Sequence, residues 1–132
     1  MRLIRSILFC FENDGTPGDG TWSQTKIKGG LGAAVAVAIA DMDNDGDLDV
    51  VSAAYTGNKV SWHLNDGSPE GAVWTTYTVA TPTKPTSVLP VDIDYDGDID
   101  IISSSETGTS TNGKIRLLAN ILWLRNSGSC FG

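Results

Sequence analysis

The chain has 132 residues, 40% hydrophobic and 19% charged, enough for one ordinary domain, and no apolar run in it is long enough to span a bilayer. Sixteen acidic against nine basic side chains give a formal net charge of −7, the wrong sign for a surface that neutralises phosphates, so nucleic acid is not an expected partner. The acidic excess is concentrated: five aspartates lie in Asp41–Asp49 and five in Asp92–Asp100, leaving six acidic and nine basic side chains elsewhere, a net of +3.

In chain order the first predicted element is a strand over about residues 2–12. Its two arginines and short apolar run, Met1 to Phe11, look like a secretion signal, but no small-residue cleavage site follows and the run leads into Glu12-Asn-Asp-Gly15. The last three of these residues belong to a repeat. Asn13-Asp-Gly15 returns as Asn65-Asp-Gly67, each time with a tryptophan seven residues after the glycine, Trp22 and Trp74. Asp41-Met-Asp-Asn-Asp-Gly-Asp-Leu-Asp49 likewise returns as Asp92-Ile-Asp-Tyr-Asp-Gly-Asp-Ile-Asp100, a period of about 51 residues.

Ala33–Ala40 is alanine-rich enough to pass for a helix. Its counterpart Thr86–Val91, however, holds a proline and β-branched residues, and both segments feed an aspartate loop, so a buried strand is predicted. Asp49–Tyr55, Lys59–Leu64 and Trp74–Ala80 are short, rich in β-branched and aromatic residues and bounded by turn formers, and read as further strands. One repeat is therefore a small-residue strand, an aspartate loop, a second strand, a third ending in Asn-Asp-Gly and a fourth carrying tryptophan, a four-stranded antiparallel unit. On this reading residues 1–32 supply the third and fourth strands of one unit, 33–82 a complete unit and 83–132 a partial one, about nine strands in all. In the last unit Ser103–Gly113 reads as a lengthened polar loop, and the third strand fits either Lys114–Asn120 or Ile121–Asn126.

Carboxylates at positions 1, 3, 5 and 9 of a tight loop, with glycine at position 6, gather oxygen ligands around one point. Hard oxygen-only ligation suits calcium rather than zinc or copper, and magnesium keeps its waters too tightly. Gly46 and Gly97 let the backbone turn over the ion. An EF-hand would carry glutamate at position 12 between helices; here position 12 is Ser52 and Ser103 and the flanks are strands. Two calcium ions would bring the formal charge from −7 to −3.

The pattern Asp-x-Asp-x-Asp-Gly-Asp-x-Asp between a small-residue strand and an apolar strand, followed by Lys-Val-Ser-Trp and Asn-Asp-Gly, resembles the FG-GAP/VCBS repeats of integrin-like β-propellers over roughly residues 7–126. The resemblance implies an all-β fold of propeller-type blades, an extracellular or cell-surface setting, and calcium at the loop joining the first two strands of each blade. It makes the side chains of Asp41, Asp43, Asp45 and Asp49, and of Asp92, Asp94, Asp96 and Asp100, the metal ligands, with Asp47 and Asp98 giving backbone carbonyls. A closed propeller needs four to eight blades, so the expected partners are further blades of a longer chain or copies of this one. Head-to-tail addition would close a ring or run on as a filament, with Cys10 and Cys130 able to lock the joints. Some propellers of this family are lectins, and Trp22, Trp62, Trp74 and Trp123 could stack on glycans, although the recurrence of Trp22 and Trp74 favours blade packing.

No enzyme is expected. The one histidine, His63, reads as a surface strand residue with no Ser or Cys nucleophile signature nearby, and no phosphate-binding or zinc motif occurs. The Ser/Thr-rich stretches Thr75–Ser87 and Ser103–Thr111 read as polar loops that O-glycosylation would suit in a secreted protein.

Overall fold

The computed structural model describes residues 6–68, 74–106 and, as backbone, 119–124. Nine strands run through the described residues: β1 (Ile7–Asn13), β2 (Trp22–Gly29), β3 (Ala34–Ala40), β4 (Asp49–Ala54), β5 (Lys59–Leu64), β6 (Thr75–Ala80), β7 (Pro85–Val91), β8 (Asp100–Glu106) and β9 (Ala119–Leu124). They form antiparallel sheets in strict chain order, β1-β2, β3-β4-β5-β6 and β7-β8-β9. Every strand thus pairs with its sequence neighbour, as short turns between period-two segments demand. No helix of the described residues is long and apolar enough to cross a membrane.

Ala34–Ala40 is a strand because its side chains sort with period two. The alanines at 34, 36, 38 and 40 are half-buried, while Val35, Val37 and Ile39 are exposed. Register carries this alternation across the second sheet. Ala38 lies opposite Val51, which lies opposite Trp62; Val37 lies opposite Ser52, which lies opposite Ser61. The first of these faces is the core side: Val51 and Val60 are fully buried and cluster with Met42 and with Ile101 of β8, flanked by Ala40, Trp62 and Val88. Small alanines on this face let β7 lie across β3 and β4, so the third sheet stacks on the second.

The two repeats superimpose in detail beyond the loops. Ala33 and Lys84 both take a left-handed φ, 47° and 49°. Their carbonyls accept the N–H of the residue that follows or ends the second strand of each unit, Tyr55 at 2.9 Å and Glu106 at 3.0 Å. Those two residues meet side chain to side chain, the Tyr55 hydroxyl donating to the Glu106 carboxylate, with the Lys84 ammonium 5.5 Å from the Tyr55 ring centre. Gly57 closes the far end of the second sheet against the chain before β3: its N–H donates to Gly32 at 3.0 Å, and a Cβ there would stand 2.1 Å from the Leu31 carbonyl oxygen. Gly57→Ala is expected to cost about 2–3 kcal/mol through that clash, read as a lower urea midpoint.

Several expectations are corrected. Ser103–Glu106 belongs to β8 rather than to a loop, with Ser103 and Ser105 buried, because the β4 pairing pattern repeats there; 107–113 lie outside the described residues. Of the Ser/Thr-rich stretch Thr75–Ser87, Thr75–Ala80 lies in β6 and Pro85–Ser87 opens β7, where strands were expected. The third strand of the last unit is β9, and its register chooses the second placement: Trp123 lies opposite Ile102 as Trp62 lies opposite Val51. The first strand begins at Ile7, and Met1–Arg5 lie outside the described residues. Cys10 is an exposed free thiol on β1; Cys130, its proposed partner, lies outside the described residues.

Candidate metal centre

Each aspartate loop is shaped by its own side chains. Asp41 Oδ1 accepts the N–H of Asp45 at 3.1 Å and Oδ2 that of Gly46 at 3.0 Å, while Asp45 Oδ1 accepts the N–H of Asp47 at 2.9 Å. The second loop repeats all three bonds: Asp96 N–H to Asp92 Oδ1 at 3.2 Å, Gly97 N–H to Asp92 Oδ2 at 3.0 Å and Asp98 N–H to Asp96 Oδ1 at 3.0 Å. Gly46 and Gly97 stand at φ 96° and 95°, a region costly for any side chain. A second left-handed position, Asn44 at 59° and Tyr95 at 60°, carries no glycine. Asparagine tolerates it; tyrosine rarely does, and Tyr95 holds it while 92% exposed.

This folding brings carboxylate oxygens of Asp41, Asp43 and Asp45 within 4.8 Å of one another, and those of Asp92, Asp94 and Asp96 likewise. Oxygens bound to one calcium at about 2.3–2.6 Å can stand at most about 5 Å apart, so each trio has the span of a shared ion. Burial first, then the charges of Asp45, Asp49 and Asp41, hold the Asp43 carboxyl above the usual carboxylate range. A set of negative oxygens that resists ionising together is what a divalent cation relieves. The donor set therefore fits calcium.

Asp49 and Asp100 are not among the carboxylates of these trios. Asp49 is fully buried, its Oδ1 accepting the N–H of Asn65 at 2.7 Å and its Oδ2 that of Met42 at 3.2 Å. Asp100, 1% exposed, accepts the Ile93 N–H at 3.4 Å. The Asp47 carboxylate lies against Gly67, where a Cβ would meet its Oδ2 at 2.2 Å. The Asn-Asp-Gly turn thus docks on the loop, and Asn65 Nδ2 also donates to the Leu48 carbonyl at 3.2 Å. The same turn recurs at Asn13, whose Oδ1 accepts the Gly15 N–H at 2.9 Å as Asn65 Oδ1 accepts that of Gly67 at 3.3 Å. Asp14 and Asp66 each accept the N–H and hydroxyl of the residue two on, Thr16 and Ser68, which keeps both carboxyls below their ordinary range. The loops also touch each other, Asn44 Nδ2 donating to the Gly97 carbonyl at 3.4 Å.

His63 is not a surface residue. It is fully buried on the face opposite the apolar core, with Nε2 2.9 Å from Ser52 Oγ and Nδ1 3.0 Å from Thr76 Oγ1. The sequence hid the Ser52 partner because only pairing register brings Ser52 and His63 together from strands 11 residues apart. Ser52 is itself fully buried, and the contact satisfies both buried polar groups. Burial, with a contribution from the Lys28 ammonium, pushes the imidazole down to about 4. The unfolded chain then binds a proton that the folded one refuses, so stability falls as pH drops from about 6.5 towards 4. His63→Gln should flatten that slope, by on the order of 2 kcal/mol across the window, in urea titrations at stepped pH.

The tryptophans divide. Trp62 is half-buried and stacks on Tyr77 at 4.9 Å, and Trp74 is half-buried. Trp22 is 46% exposed, which corrects the expectation that the recurring pair packs alike. The side chain of Trp123 lies outside what is described.

Residues 41–103, which take in both loops, match the family model of the FG-GAP-like repeat. No curated protein and no solved structure matches the chain.

Proposed function

We propose that this chain, which carries an FG-GAP-like repeat over residues 41–103, is a non-enzymatic, calcium-stabilised extracellular module. Its sheets act as propeller-type blades that stack with further blades in a structural or adhesive assembly. The observation that carries this reading is the loop built twice, with the same three hydrogen bonds, the same two left-handed positions and the same carboxylate trio. A turn former needs no such duplication of ligand geometry. Millimolar extracellular calcium would keep oxygen-only loops of this kind filled.

Stacking with further blades is supported by the outer face of β3. Val37 and Ile39, 56% and 63% exposed, hold the positions that Val88 and Pro90 hold one repeat later. Val88 packs into the apolar core beneath the second sheet. The β3 row is thus an interface surface of the same kind, suited to the small-residue face of another blade, from a longer chain or from a second copy added head to tail.

Calorimetric titration tests the calcium reading: two equivalents should bind, and one after Asp43→Asn combined with Asp45→Asn. No binding at millimolar calcium, or two equivalents in that variant, would overturn it. Light scattering in calcium and after chelation reads the assembly, a calcium-dependent mass above one chain being the result expected of self-association.

A further inference from the structure

Among the described residues, three of the cations gather away from the aspartate loops. Of the four cationic side chains among the described residues, Lys26, Lys28 and Lys59 line one groove where the first sheet meets the second. One end is a cavity of about 560 Å³ bordered by Ile7, Lys26, Lys28 and Trp74. The other, of about 280 Å³, is bordered by Lys59, Ser61, Thr76 and Thr78. Lys28, Gly29 and Gly30 border both, so the two are continuous. Among the described residues lining it there is no carboxylate.

These groups are complementary to one kind of ligand. Three ammonium groups in a row call for an elongated ligand carrying several separated anionic groups. The hydroxyls and glycine backbone suit a polyhydroxylated body, and the half-buried Trp74 indole offers a flat apolar wall for a sugar ring. We propose that this groove binds an acidic polysaccharide, a pyranose chain bearing carboxylate or sulfate groups. Nucleic acid is the poorer fit, since its dense phosphates would meet a chain of net charge −7. The inference does not rest on the calcium reading, because no groove residue belongs to either loop.

The test is calorimetry in millimolar calcium with four probes: a uronic-acid hexasaccharide, a sulfated hexasaccharide, a neutral hexasaccharide and a single-stranded oligonucleotide of matched charge. Binding of either acidic sugar, weakening as salt rises, is expected, and which of the two binds identifies the anion. Combining Lys26→Gln, Lys28→Gln and Lys59→Gln should weaken it about tenfold or more, the sum of three exposed ion pairs of ordinary strength. Lys84→Gln, outside the groove, should leave it unchanged, and the melting temperature of each variant confirms that it folds. No acidic sugar binding, equal affinity for the neutral hexasaccharide, or undiminished binding by the triple variant would overturn the proposal. An oligonucleotide bound as tightly through the same lysines would replace the saccharide with nucleic acid.

Discussion

Transfer from millimolar calcium into excess chelator is expected to lower the melting temperature by roughly 15–25 °C. Each loop sets five carboxylates within nine residues, and in the first loop burial, then the charges of Asp45, Asp49 and Asp41, raise the Asp43 carboxyl. A site held at about a hundred times its dissociation constant stabilises the fold by about 2.7 kcal/mol, so two sites contribute about 5 kcal/mol. For a domain of this size about 1 kcal/mol moves the midpoint by several degrees. The loops should not respond independently, since the Asn44 amide holds the Gly97 carbonyl across them. Scanning calorimetry at constant ionic strength measures the shift, and equal midpoints in calcium and chelator would refute it. Asp43→Asn with Asp94→Asn supplies an opposite-signed control. That variant should melt higher than the parent in chelator, where two repelling charges have been removed, and lower than the parent in calcium.

Strand order and the two loops were legible because both are written locally. The proline-containing counterpart ruled out a helix for β3, although the strand expected to be buried leaves Val35, Val37 and Ile39 exposed, and the aspartate spacing placed Asp41, Asp43 and Asp45 on one loop. What escaped was set by partners distant in sequence. His63 looks like a surface residue until the β4-β5 register sets it opposite Val50, within reach of Ser52 on the same face, and the β5-β6 register sets it opposite Thr76. The third strand of the last unit fits two segments equally well until Trp123 is found opposite Ile102. Ser103 and Ser105 are polar enough to read as loop, yet they sit buried where Ser52 and Ala54 sit one repeat earlier. The left-handed turn at Tyr95 breaks a local preference and is visible only as the equivalent of Asn44.

Asp49→Ala is expected to destabilise the fold by about 3–5 kcal/mol, more than any other single substitution considered. Spacing alone cast Asp49 as a ninth-position ligand like its neighbours, but its carboxylate is fully buried and joins the start of the loop at Met42 to the end of β5 at Asn65. Alanine leaves both N–H groups without an acceptor, at about 1–3 kcal/mol each, and opens a void beside the core residue Met42. Asp49→Asn keeps one acceptor oxygen and should lose roughly half as much. Urea unfolding in chelator measures the hydrogen-bonding role by itself, because no metal is then bound to either state. Repeating the titration in calcium isolates any role in ligation. If Asp49 holds only the backbone, alanine lowers stability equally in both buffers. If its carboxylate also reaches the ion, the loss is larger in calcium and the variant's calcium affinity falls with it. Equal stability of Asp49→Ala and the parent in chelator would mean that the loop closes without this side chain, leaving ligation as its one role.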